Sequence, residues 1–166
     1  MVVDNEQLRL TPELLRVMRA GVSHAIEAGE EFVAPTHLML ALIDDARIGT
    51  TIAEIVPATR VRDAMANSKG RLPEVAEVPE GPIPEGETVS FKRYDTLAFR
   101  SADHSRTLYL DRASYDIFIA GARRADEAYA PKHLAMGFAA VSVKDGEIGN
   151  LLGTEPQRLT IALSEL

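Results

Sequence analysis

Phe32-Val33-Ala34-Pro35-Thr36-His37-Leu38-Met39-Leu40-Ala41-Leu42-Ile43 joins a short extended run to a proline and then to a compact apolar helix. A weaker copy returns as Tyr129-Ala130-Pro131-Lys132-His133-Leu134-Ala135-Met136-Gly137-Phe138. Residues upstream recur as well. Leu10, Ala20, Gly21, Ala25, Glu27 and Ala28 reappear as Leu110, Ala120, Gly121, Ala125, Glu127 and Ala128, an offset of 100 residues. The Ala-Pro-x-His-Leu core lies at an offset of 96, and Ile48-Gly49 with Ile148-Gly149 restores 100. The second copy is therefore four residues shorter before its proline and four longer after its histidine. Such compensating changes, expected in connectors while the periodic segments are kept, mark a duplicated helical unit.

Working outward, Thr11-Pro12-Glu13-Leu14 is a helix start, with Thr11 as N-cap and Pro12 where its missing donor costs nothing. Leu14, Val17, Met18, Gly21, Val22, Ala25 and Ala28 fall on one face, and Gly29 ends the helix. Thr36 is the expected N-cap of the next helix, Leu38 to about Asp45, apolar nearly all round and so central to a core. Residues 48–56 and 60–69 read as two further short helices. Pro73, Pro79, Pro82 and Pro84 make residues 70–86 a surface linker. Thr88–Phe91, Thr96–Phe99 and Thr107–Leu110 are short β-prone runs, expected to form a hairpin or three-stranded meander. Asp111 caps a second long helix whose buried face runs from Ile117 to Ala128. Pro131 opens the second core helix. Residues 144–147 read as a turn, and 148–153 and 155–163 as closing helices. The expected fold is mainly α: a pseudo-two-fold duplication of a four-helix repeat, with a β-hairpin or meander insertion between the halves. Its segments are a first repeat over 1–69, linker and insertion over 70–109, and a second repeat over 110–166.

Composition limits the function. The 166 residues suit one domain or two intimately packed halves, and an apolar fraction of 46% is enough for a core. A net charge of −7 argues against nucleic acid as a partner. No cysteine is present, which excludes disulfides, thiolate metal sites and a cysteine nucleophile. No apolar run reaches the roughly 20 residues needed to span a bilayer, and the N-terminus is acidic where a signal peptide would be basic. A cytoplasmic protein that neither enters nor binds membranes is the expectation.

The repeated His37 and His133 invite a catalytic or metal reading. The structural alternative is stronger: a histidine in the first turn of a core helix donates one ring N–H to a backbone carbonyl. His37, His133, Pro35 and Pro131 are thus read as structural motif residues. His24 and Glu27 share a helix face, but no second pair completes a metal shell, and the order is reversed from the Glu-x-x-His of di-iron bundles. Asp103-His104-Ser105 holds the letters of a triad, yet consecutive residues in a turn do not converge as one. No phosphate-cradling Gly-x-x-x-x-Gly-Lys-Ser/Thr loop exists. No cofactor, metal or catalytic residue is expected. Lys92, Arg93, Arg100, Arg106 and Arg112 crowd the β-prone insertion, interleaved with Asp95, Asp103 and Asp111. This is either a solvated mixed-charge surface or a docking patch for an acidic partner. Exposed strand edges there could accept a partner's strand.

The helix opening at Leu10-Thr11, the Phe32–Leu42 motif and its degenerate second copy resemble the double repeat of the Clp N-terminal domain, the module that caps the AAA+ chaperones ClpA, ClpB and ClpC. The first repeat, with Arg71-Leu72-Pro73-Glu74-Val75 after it, most resembles the ClpB type; residues 76–109 are longer than the usual linker. The resemblance implies a protein-binding module for unfolded segments, tagged substrates or adaptors. Some ClpC-type domains bind phosphoarginine through an acidic residue just before the motif histidine. Here those positions are Thr36 and Lys132, so that ligand does not carry over. The expected function is non-enzymatic: an adaptor, accessory or decoy of Clp-type quality control that binds a protein or peptide. Its candidate contacts are Thr36, Lys132, Lys92, Arg93 and Arg100. Two alternatives stand beside it: an excised substrate-binding N-domain of a Clp ATPase, and a small-molecule sensor or small enzyme using the inter-repeat cleft.

Overall fold

The computed structural model describes residues 7–68, 88–90, 97–103, 105–125, 128–153 and 156–165. The expected linker over 70–86 lies outside them. The first half begins with β1 (Gln7–Arg9) and α1 (Pro12–Glu27). The Thr11 hydroxyl accepts the Leu14 N–H at 3.1 Å, and the apolar stripe from Leu14 to Ala25 is buried. Gly29 follows the C-cap with φ +76°, a conformation only glycine takes cheaply. Its N–H reaches Ile26 O at 3.0 Å, and Glu30 N–H reaches Ala25 O at 2.9 Å, a complete Schellman stop. Then come β2 (Phe32–Val33), α2 (Pro35–Ile43), α3 (Gly49–Ile55) and α4 (Ala58–Ser68). The second half holds β3 (Thr88–Ser90), β4 (Ala98–Arg100), β5 (Thr107–Leu110), α5 (Arg112–Ala122), α6 (Pro131–Ser142), α7 (Gly146–Leu152) and α8 (Pro156–Ser164). The fold is mainly helical, with α2 buried from His37 to Leu42 at its centre. No described helix is long and apolar enough to cross a membrane.

The halves are tied by exchange. Each extended run that enters a helix pairs in parallel with a run from the other half. Leu10, before α1, bridges Tyr129, before α6, and Thr11 N–H donates to Tyr129 O at 3.0 Å. Phe32 and Val33, before α2, pair with Tyr109 and Leu110, before α5, and Asp111 N–H donates to Val33 O at 2.9 Å. Thr11 corresponds to Asp111 and Tyr129 to Val33 under the repeat offsets. The two ties are therefore one bond seen twice across the pseudo-two-fold. Arg60 adds a third link: its guanidinium donates to Ile55 O at 3.4 Å and Leu151 O at 3.5 Å, bridging the C-terminal ends of α3 and α7.

Several expectations change. The hairpin is present, β4 antiparallel to β5, but there is no meander among the described residues. The third strand of that sheet is β2 from the first half, while β3 pairs antiparallel with β1. The offset changes fall in helices rather than connectors. Helix α5 has 11 residues against 16 in α1, and α6 has 12 against 9 in α2. Helix α5 is thus five residues shorter than α1 and α6 three longer than α2, each difference about one turn taken up at the helix C-terminus. Accordingly α5 ends at Ala122, and Ala125 and Ala128 lie past it. Residues 144–147 are no simple turn: Asp145 caps α7, accepting the N–H groups of Glu147 and Ile148 at 3.0 and 3.3 Å. Asp45 receives Arg47 and Ile48 in the same way ahead of α3.

Candidate functional site

The parallel ties set the helix starts of the two halves side by side in two pairs, α1 with α6 and α2 with α5. Helix α2 begins at Pro35, so Thr36 lies inside it and is not its N-cap. Ala34 is the N-cap residue, and its side chain can offer no acceptor. Proline at the first position starts the helix two residues earlier than a Thr36 cap would. The histidine fills the gap from the third position. His37 Nδ1 accepts the Ala34 N–H at 2.9 Å, and His133 Nδ1 accepts the Ala130 N–H at 2.9 Å. This is the returning half of a capping box, with imidazole in place of the usual carboxylate. The rings therefore accept through Nδ1, where a donated bond to a carbonyl was expected. Burial, with a smaller contribution from His24, pulls His37 down to about 4. The ring stays neutral, as an accepting Nδ1 requires.

Thr36 and Lys132 occupy the second helical position of α2 and α6, both half-buried. They belong to different pairs of helix starts, Thr36 to α2 with α5 and Lys132 to α1 with α6. Arg100 is exposed at the end of edge strand β4. Lys92 and Arg93 lie outside the described residues. His24 Nε2 meets Asp44 at 3.3 Å, rather than Glu27. Among the described residues, no three His, Cys, Asp or Glu side chains group as a metal shell.

The Asp103 carboxylate organises the β4–β5 turn. It accepts both the Ser101 and Ser105 hydroxyls at 2.6 Å and the Ser105 N–H at 3.0 Å. These bonds, the Ser101 hydroxyl foremost, hold it down at about 2. His104 is outside the described residues. Asp111 is the opposite case. Its carboxylate accepts the Ser114 N–H at 2.8 Å, but burial pushes it up to about 6. Ser114 Oγ in turn donates to Val33 O at 2.9 Å, doubling the tie between halves. Tyr129 is fully buried, donates its hydroxyl to Phe118 O at 2.8 Å, and is held well above the usual phenol range by burial.

One surface was not marked from the sequence. An open groove lies between α3 and α8, with Ile55, Ile161 and Ala162 in its lining. Its signal was available: Ile161 falls off the Leu159/Leu163 seam of its own helix.

Residues 1–54 match the Clp repeat (R) N-terminal domain. The crystal structure of the N-terminal domain of the caseinolytic protease associated chaperone ClpD from Arabidopsis thaliana is similar over 99% of this chain and 96% of that one, with a TM-score of 0.57 at 20% identity. The fold is that of a Clp N-terminal domain. Comparison with curated proteins returned no match. In this Clp N-terminal fold the matched segment spans α1, α2 and most of α3, so it holds the first motif histidine and its proline. The second repeat is recognised through the fold, and its helix starts repeat the first geometry with Asp111 and Lys132 in place of Thr11 and Thr36.

Proposed function

We infer that the chain is a non-enzymatic protein- or peptide-binding module of Clp-type protein quality control, acting in the cytoplasm. Its organisation under this reading is a repeat over 1–69, a connecting segment over 70–109 and a second repeat over 110–166. The observation that carries the reading is a Clp repeat over residues 1–54 inside a chain whose whole length has the Clp N-terminal fold. The partner contacts are Thr36 and Lys132 in the first turns of α2 and α6, with Lys92, Arg93 and Arg100 from the insertion.

The test is a titration of the chain against two purified probes: a Clp ATPase, and a reduced, alkylated protein that stays unfolded. Binding of the ATPase assigns an adaptor or accessory role; binding of the unfolded probe assigns client recognition. A Thr36→Ala/Lys132→Ala double variant should weaken whichever binding is found while its thermal unfolding stays unchanged. The insertion is best tested by Lys92→Glu, Arg93→Glu and Arg100→Glu. Removing residues 76–109 would take out central strand β5 and the buried Leu97, Phe99 and Leu108. Binding of neither probe overturns the reading.

A further inference from the structure

Helices α3 and α8 come from different halves and flank an open groove of about 260 Å³. Thr51, Glu54 and Ile55 line it from α3, and Arg158, Ile161, Ala162 and Glu165 from α8. Spacings of three and four residues put each set in one stripe along its helix. The stripe on α8 is separate from its core seam, since Leu159 and Leu163 are both fully buried. Helix α8 thus carries a second stripe, with Ile161 and Ala162 between Arg158 and Glu165, and Ile161 within it is 59% exposed.

The first half shows that the fold does not require this strip. Aligning Arg60-Val61 with Arg158-Leu159 sets Val61 and Met65, which pack into the core from α4, on Leu159 and Leu163. Asp63 then stands where Ile161 stands, and it is exposed. An aliphatic residue thus stands at a solvent position that the sister helix fills with a carboxylate, and it shares one groove with Ile55 and Ala162 rather than standing alone. Charge narrows the occupant. Two carboxylates, Glu54 and Glu165, face one guanidinium, Arg158, which is already engaged. The lining combines Ile55, Ile161 and Ala162 with a net negative charge.

We propose that the α3–α8 groove docks a short peptide segment of a partner protein, with an aliphatic side chain packed on Ile161 and Lys or Arg flanking it. The proposal rests on the protein-binding reading above and assigns it a face built from other elements than Thr36 and Lys132.

The experiment is fluorescence anisotropy on the full chain with two labelled short peptides. One has an isoleucine between Lys and Arg flanks; the other has the same centre between Glu flanks. The basic peptide should bind and the acidic one should not. Ile161→Asp, which copies Asp63, should weaken binding by about tenfold or more. A Glu54→Lys/Glu165→Lys variant should invert the preference between peptides. Ile161→Thr, milder for the helix, should give an intermediate loss. Equal binding of both peptides, or unchanged binding by Ile161→Asp, overturns the proposal. So does a dimer in sedimentation that Ile161→Asp turns into a monomer, because the occupant is then a second copy. If Thr36→Ala/Lys132→Ala abolishes binding of the ATPase or unfolded probe while Ile161→Asp does not, the broader reading stands and this one fails.

Discussion

The two helix pairs that carry the motif, α1 with α2 and α5 with α6, solve the same packing problem differently. A Cβ added at Gly21 would sit 3.8 Å from His37 O and press mainly on the tip of the Leu38 side chain. A Cβ at the equivalent Gly121 would sit 2.7 Å from His133 O and collide with the Tyr129 hydroxyl. The second pair is closer because Gly137 replaces Ala41, so that glycines of α5 and α6 meet backbone to backbone. Its surroundings are aromatic where the first pair is aliphatic: Phe118 packs at a tilt against Tyr129 at 4.8 Å and against Phe99 at 5.9 Å. Tyr129 stands where the first half has Val33. A repeat can therefore keep one backbone plan while exchanging side-chain volume for helix proximity.

The largest effect that should break this comparison is Gly137→Ala. Its Cβ would strike the Ile117 carbonyl and the Gly121 backbone, which cannot move aside as a side chain can. We expect a loss of about 3 kcal/mol or more, read as a drop in the urea midpoint. Gly21→Ala should cost well under half as much, since Leu38 can change rotamer and alanine favours the helix by up to about 1 kcal/mol. Equal costs would mean that the two interfaces are equally tight.

Next come the caps. Thr11 is neutral, whereas Asp111 is a carboxylate raised to about 6 from an ordinary value of 3.8. An acid raised in the folded state binds more protons there, so its contribution falls as pH rises from about 4 to about 6. Asp111→Asn keeps an acceptor for Ser114 and removes the buried charge. It should stabilise the protein by about 2 kcal/mol at pH 7 and by little below pH 4. His37 has the opposite sign. Lowered to about 4 from 6.5, it contributes fully above pH 6.5, and that contribution is lost as pH falls toward 4. His37→Gln, which retains a side-chain acceptor, should flatten the acid limb of the stability–pH curve. Denaturant titrations from pH 4 to pH 7 separate the two slopes. A parent-like acid limb in His37→Gln would remove the ring from the account.

The smallest expected effect is Tyr129→Phe. It keeps the ring packing against Phe118 and loses the bond to Phe118 O, at a cost of about 1 kcal/mol by chemical denaturation. A cost near zero would leave ring volume, not the hydroxyl, as what distinguishes the second half.

The duplicated motif, the caps at Thr11 and Asp111, and the buried helix after Pro35 were legible because each is a local pattern over a few residues. What escaped was non-local. Nothing near Val33 announces that its carbonyl will meet Asp111, and β-propensity at Phe32-Val33 does not reveal that the strand joins a sheet from the other half. The length changes were legible as numbers but not as turns, since only the observed helix ends show which segment absorbs them. The imidazole was placed correctly in a first turn. Its role as acceptor was missed because the helix starts at proline, one residue before the hydroxyl that seemed to cap it. At the candidate site, the positions of Thr36 and Lys132 were legible, but not that they sit on separate pairs of helix starts. The groove needed α3 and α8 to be neighbours, which no spacing within either helix foretells.

The exchanged entry strands have a consequence for a chain of half the length. A single repeat would carry the donor of one tie and the acceptor of the other, and both would be unmatched. Two such repeats would match each other, with the Thr11-type amide of each copy bonded to the Val33-type carbonyl of its mate. The present chain is the covalent form of that symmetric pair. Severed within residues 70–86, it should behave as two mutually dependent fragments that regain structure only when mixed.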